Sequence, residues 1–247
     1  GVMGAKPPHL LTPEERKKVV EKKAMYIDIG ASSAEEVAAA GVRVGDPVVP
    51  LADFRVLANP KTYLSKAFDD RVGCAAMVQA MQELQAAGHP NTLYAAATVM
   101  EEVGVRGATT SVELVNPDVA IVLESDIAGD VPDIKPEECA VKMGQGPSVL
   151  MYDARMIPNL RLRDLVMDTA QEMGQPLQVS LMEGGATDGA PIHLHRLGVP
   201  TVVMAVPARH IHSHSAMIHR DDFDGLVRLL ISVVRKLDAD TVAWLTA

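Results

Sequence analysis

Apolar runs that alternate with amphipathic helical stretches, and that end in acids or imidazoles, constrain this chain more than any other feature. From Thr62 onward the pattern predicts a helix over 71–87, with Val72, Ala75, Ala76, Val78, Met81 and Leu84 on its buried side and Gly88 closing it. It predicts strands over 92–100, 119–123, 147–151, 177–181 and 201–206, and helices over 159–173, 189–196 and 222–237. That alternation builds an α/β fold, a mixed sheet with helices on both faces. The chain has 247 residues, 48% of them hydrophobic but only 3% aromatic, so Val, Leu, Ala and Met must fill the core.

Open α/β sheets place their sites at strand ends. Asp69-Asp70-Arg71 stands immediately before the first long helix, Glu101-Glu102 follows the run 92–100, Glu124 follows the run 119–123, and Arg209-His210-Ile211-His212-Ser213-His214 follows the run 201–206. Singly, each has a plain reading: helix-capping acids, a solvated strand end, a loop acid, a polar loop. Half of the eight histidines lie between 210 and 219. Carboxylates and imidazole gathered without basic partners are best explained by divalent cations. Asp69 then bridges two ions with Asp70 in support. One member of the Glu pair binds metal, and the other stays free to take a proton from activated water.

Other classes fit poorly. The net charge of -9 argues against nucleic acid as a partner. The Gly-rich stretch 184–190 lacks both the strand-GxGxxG-helix context and the P-loop lysine; it reads as a tight turn shaping a substrate pocket. No G-x-S-x-G supports a serine nucleophile. No run approaches the ~18 apolar residues of a membrane span. Cys74 and Cys139 stand outside any CxxC and read as reduced thiols of a cytoplasmic protein.

Residues 1–58 differ in texture. Thr12-Pro13-Glu14-Glu15 is a capping box that predicts a helix over 13–23, and the segment 25–29 alternates like a strand. Ser33 to Glu36 opens a short helix that Gly41 ends, and Val48-Val49-Pro50 starts another strand. The expected division is a small β-rich module over 1–58 and the α/β domain over 59–247.

Several segments, in this order, resemble the co-catalytic metallo-aminopeptidases of the glutamyl and deblocking type. That group includes the tetrahedral dodecameric peptidases, and some members are labelled endoglucanases. Gly4-Ala5-Lys6-Pro7-Pro8-His9-Leu10 and Asp28-Ile29-Gly30-Ala31-Ser32-Ser33 resemble part of that family's inserted β-rich domain. Lys66 to Gly73 resembles its bridging-aspartate motif, and Thr98 to Gly107 its Glu-Glu segment. Ala128-Gly129-Asp130-Val131-Pro132 is similar to the next motif, and Arg209-His210-Ile211-His212-Ser213 to Arg-Tyr-Ile-His-Ser with His for Tyr.

The resemblance implies a zinc-peptidase-like fold and two divalent ions, zinc or cobalt. Asp69 would bridge them, Glu102, Glu124 and His212 would be the further ligands, and Glu101 the general base. Glu124 is preferred to Asp126 because it stands six residues before Asp130, as the family acid does. The implied activity is removal of N-terminal residues from peptides by a homo-oligomer, a dodecamer in the tetrahedral members. One departure stands out: the family's upstream His-x-Asp ligand motif has no counterpart before Asp69, so the reading expects an N-terminally truncated chain with one metal position incomplete. Two rivals remain: another di-metal amide hydrolase such as a deacylase, and a non-catalytic fragment or assembly subunit.

Overall fold

The computed structural model describes residues 1–246, which form two compact units, Gly1–Val49 and a second beginning at Pro50. The division falls at Val49–Pro50 rather than at 58–59, because β3 (Arg55–Val56) pairs with β4 (Thr62–Ser65) of the second unit.

In the first unit, β1 (Val2–Gly4) and β2 (Tyr26–Asp28) form an antiparallel ribbon, and α1 (Ala34–Ala39) follows. Ser33 caps α1 by accepting from the Glu36 amide, and Gly41 ends it with φ +82. The helix expected over 13–23 does not form. Its capping box does: the Thr12 amide donates to Glu15 Oε2 at 2.7 Å, and the Glu15 amide to Thr12 Oγ1 at 3.2 Å. Only the 3-10 turns Glu15–Lys17 and Lys22–Ala24 follow. A helix that short is marginal without an apolar face to bury, and no described residue of this unit is buried. The strand expected at Val48-Val49-Pro50 is also absent; Pro47 and Pro50 remove ladder donors on both sides.

The second unit holds a seven-stranded mixed sheet. Its strands after β4 are β5 (Ala120–Ile127), β6 (Ser148–Asp153), β7 (Gln178–Met182), β8 (Thr201–Arg209) and β9 (Ala216–His219). The order runs β3-β4-β9-β8-β6-β7, with β5 parallel to β8 on the other flank of β8. Strand β8 shows why its sequence is apolar throughout. Val202, Met204, Val206 and Ala208 pack into the main core, while Val203 packs into a smaller cluster with Val122, Leu150 and Met156. Period-two alternation buried on both faces leaves no polar side.

Helices α2 (Phe68–Ala87), α4 (Leu160–Glu172) and α6 (Arg220–Lys236) supply much of the main core through Ala76, Leu84, Leu162, Val166, Leu226 and Val233. Helices α3 (Arg106–Val115) and α5 (Gly189–Ile192) pack on each other, and α5 on β5 and β8. The last helix is α7 (Ala239–Thr246).

Two expectations fail here in ways that bear on function. Residues 92–100 enter no β-ladder among the described residues, and Tyr94, Val99 and Met100 are more than half exposed. Apolar alternation marks a segment able to pair; a ladder also requires a neighbouring edge. The strand expected over 119–123 continues to Ile127, so Glu124 sits within β5, opposite Ala205 of β8, rather than at its end.

Candidate metal centre and active site

The acids come together from separate connections. Arg71 explains how the first pair is held: its guanidinium donates to the carbonyls of Lys66 and Ala67, bracing the turn in which Ala67 takes the left-handed conformation at φ +51. Asp69 and Asp70, joined by a cis peptide, then depart from helical geometry at the start of α2. The Gly73 amide donates to Asp70 Oδ1 at 3.1 Å. A side chain at Gly73 would meet Asp70 Oδ2 at 2.2 Å and the Leu123 carbonyl at 2.9 Å, so the close approach of α2 to β5 requires glycine.

Glu101 and Glu102 lie in a tight turn before α3. Amides of Gly104 and Val105 both donate to the Glu101 carbonyl, at 3.0 and 2.8 Å. Met100 at φ +58 and Val105 at φ +50 bracket it in left-handed backbone, which a β-branched residue resists. His212 lies between β8 and β9 with φ +61 and follows His210 at φ +60. Such strain persists where surrounding structure holds it, commonly at functional sites. Part of that hold comes from Arg209, which makes a two-pronged ion pair with Asp130, one arm being Nε to Oδ1 at 3.1 Å. Asp130 also accepts from the Met143 amide, so the Ala-Gly-Asp segment and the end of β8 are locked together.

Two groups of three result, each with ligand-capable atoms within 4.8 Å of one another: Asp69, Glu102 and His212, and Asp69, Asp70 and Glu124. Asp69 belongs to both. His212 Nε2 stands 2.9 Å from Asp69 Oδ2 and 3.6 Å from Glu102 Oε2. The electrostatics reveal the crowding. Burial, opposed in part by the Gly73 amide and reinforced by Asp69, Glu101 and Asp188, pushes Asp70 up to about 8. Burial and the charges of Asp70, Glu101, Asp69 and Asp188 push Glu124 up to about 10. Glu101 rises to about 7 by burial and the charges of Asp188, Glu102 and Asp69, against His212. Carboxylates so placed must hold protons or cations. The donors fit divalent cations: two carboxylates with an imidazole on one side, three carboxylates on the other.

Asp69, Glu102, Glu124 and His212, singled out in the sequence, all fall in the two groups, and Glu101 lies beside them. Asp126 does not; it accepts from Ser148 Oγ at 2.5 Å and from the Ile127 amide, and is buried. Sequence reasoning gave Asp70 only a supporting role and missed Asp188, whose charge acts on Asp70, Glu101 and Glu124. An acid without a basic neighbour in the Gly-rich stretch was the available signal.

The sequence pattern of the M42 glutamyl aminopeptidase family matches residues 1–229. A TET aminopeptidase from a marine sediment archaeon of the Thaumarchaeota superposes with a TM-score of 0.96 at 49% identity, over 99% of this chain and 69% of that one. The glutamyl aminopeptidase of Lactococcus lactis is 32% identical over 243 residues, 98% of this chain and 67% of that protein. The TET1 peptidase of Pyrococcus horikoshii, described as assembling into a tetrahedron or a large octahedral shell, superposes with a TM-score of 0.82 at 30% identity, over 96% of this chain and 68% of that one. This chain thus spans about two thirds of the length of these relatives.

Proposed function

Because the chain belongs to the M42 glutamyl aminopeptidase family, a group of peptide-bond hydrolases, we propose that it removes N-terminal residues from peptides at the cluster centred on Asp69. The observation that carries this reading is the sharing of Asp69 by two ligand groups. A shared carboxylate is what a pair of co-catalytic ions needs between them.

Asp69, Glu102 and His212 would hold one ion, and Asp69 with Glu124, supported by Asp70, the other. Zinc or cobalt suits these donors. Bound there, the ions would supply Lewis acidity toward the scissile carbonyl and lower the pKa of the attacking water. The protein's own part in the chemistry falls to Glu101. It adjoins the ligand Glu102 yet belongs to neither group, so its carboxylate is free to take a proton from the attacking water and return it to the leaving amine. The turn that closes on the Glu101 carbonyl fixes where that carboxylate stands.

The protein is further proposed to act in the cytoplasm as a homo-oligomer of the dodecameric, shell-forming kind. The assembly described for the Pyrococcus horikoshii relative supports the oligomer.

Hydrolysis of amino-acid anilides with added zinc or cobalt, beside N-acetylated amino acids, tests the activity. Turnover of the anilides that chelation abolishes is expected. Turnover of the N-acetyl substrates alone would make the protein a deacylase, and turnover of neither would make it a non-catalytic subunit.

A further inference from the structure

We propose that Asp188 recognises the free α-ammonium group of the peptide's N-terminus, so that it determines specificity for unblocked chains. The inference rests on the aminopeptidase reading above. Asp188 is only 8% exposed. One carboxylate oxygen, Oδ2, accepts from Thr98 Oγ1, while the other, Oδ1, is enclosed and has no hydrogen-bond partner among the described residues. A buried carboxylate oxygen stripped of water and left unpaired is costly, more so than a neutral group. Burial raises its pKa and the Thr98 hydrogen bond opposes that. Asp188 acts electrostatically on Asp70, Glu101 and Glu124, all acids.

Three further observations bear on the role. Asp188 belongs to neither ligand group, so it is not needed to account for the two ions. Its position is also built. The Ala154 amide donates to the Gly185 carbonyl at 2.9 Å, Thr187 Oγ1 donates to Asp153 Oδ2 at 3.2 Å, and the Gly189 amide donates back to Thr187 Oγ1 at 3.2 Å. Asp153 is itself buried and accepts from the amides of Arg155 and Met156. Finally, Thr98 ties Asp188 to the segment that leads into Glu101, and the Asp188 charge acts on the Glu101 carboxylate.

What the oxygen lacks is a small cationic donor that arrives with the substrate. A peptide's N-terminus brings one: an ammonium with three N–H donors, whose bond to a carboxylate is charge-assisted. An acylated N-terminus or an internal peptide bond brings no charge, and would leave Oδ1 buried and unpaired. A site built around such a group rejects analogues that lack it.

The test is equilibrium binding of two non-hydrolysable probes, leucinol and its des-amino analogue 4-methylpentan-1-ol, to the zinc-loaded protein. The unaltered protein should prefer leucinol by about 10–100-fold, the range of a hydrogen bond to a charged group. Asp188→Asn should lose most of that preference while bound zinc stays unchanged. Thr98→Val, which removes the bond that orients the carboxylate, should lose part of it. Preference kept in Asp188→Asn overturns the assignment, and so does loss of zinc in that variant, which would make Asp188 a metal ligand. If Asp188→Asn fails to fold, an undiminished preference in Thr98→Val overturns it instead. An unaltered protein that shows no preference and cleaves no amino-acid anilide overturns the aminopeptidase reading and this inference together. Cleavage with the preference preserved in both variants overturns only the role of Asp188.

Discussion

The two halves of the acidic cluster are built differently although they share Asp69. The half formed with Asp70 and Glu124 stands on the start of a 20-residue helix and on a strand laddered along its length to β8. The half formed with Glu102 and His212 stands on connections, and its side chains are open: His212 is 69% exposed and Glu102 58%, against 16% for Asp69. The first half has its geometry set by packing, and its electrostatic cost is high. The second is cheap to leave empty but relies on left-handed residues at Met100, Val105, His210 and His212 for its shape. A rigid buried half with an adaptable open half suits a site that must keep ions and still admit a substrate.

The largest expected effect tests whether the halves are one unit. Asp69→Ala should remove ions from both and reduce activity by more than the ~10²–10⁴-fold that a general base alone contributes. Metal analysis that still finds one tightly held ion would show that the halves fill independently.

Next comes Glu101→Gln, which should lower kcat by about 10²–10⁴-fold while metal content stays near that of the unaltered protein. Measured kcat within a few-fold of the original would remove Glu101 from the proton-transfer role.

The third contrast separates the halves directly. His212→Ala should weaken the open half's ion by more than the ~10–100-fold that losing an outer-shell partner costs. Glu124→Gln should do so for the buried half, and His214→Ala and His219→Ala should leave both. Titration of each purified variant with zinc decides this; equal loss in all three histidine variants would mean a different imidazole set.

The smallest effect is on stability. Asp70, Glu124 and Glu101 are raised to about 8, 10 and 7 in the folded metal-free protein, from about 4 in an unfolded chain. Raised carboxylate values mean that the folded state binds protons the unfolded state has released. Their stabilising contribution is therefore complete below about pH 4 and is lost progressively as pH rises through the folded values of about 7, 8 and 10. With chelator present, the melting temperature should fall between pH 5 and 8 by roughly 5 °C or more beyond its change in saturating zinc. Parallel curves with and without zinc would show that the buried half carries no such burden.

The sequence by itself determined the α/β class, most of the helices and the core strands, and it singled out Asp69, Glu101, Glu102, Glu124 and His212 as candidates, their separate roles coming only from the family resemblance. It did so because each depends on local pattern: 3.6-residue and two-residue periodicity, caps, and acids where apolar runs stop. Asp69-Asp70, Glu101-Glu102 and His212 each have a plain reading alone; it is their recurrence where apolar runs stop, without basic partners, that points to a metal site. Tertiary structure decided what depends on partners distant in the chain. It left residues 92–100 without a ladder and residues 13–23 without a helix, because periodicity says what a segment can bury and not whether anything meets it. It extended β5 through Glu124 by pairing with β8. It also brought Asp188, an unremarkable loop acid in the sequence, beside three other carboxylates with one oxygen unpaired, since whether a charge is costly depends on what surrounds it once water is excluded.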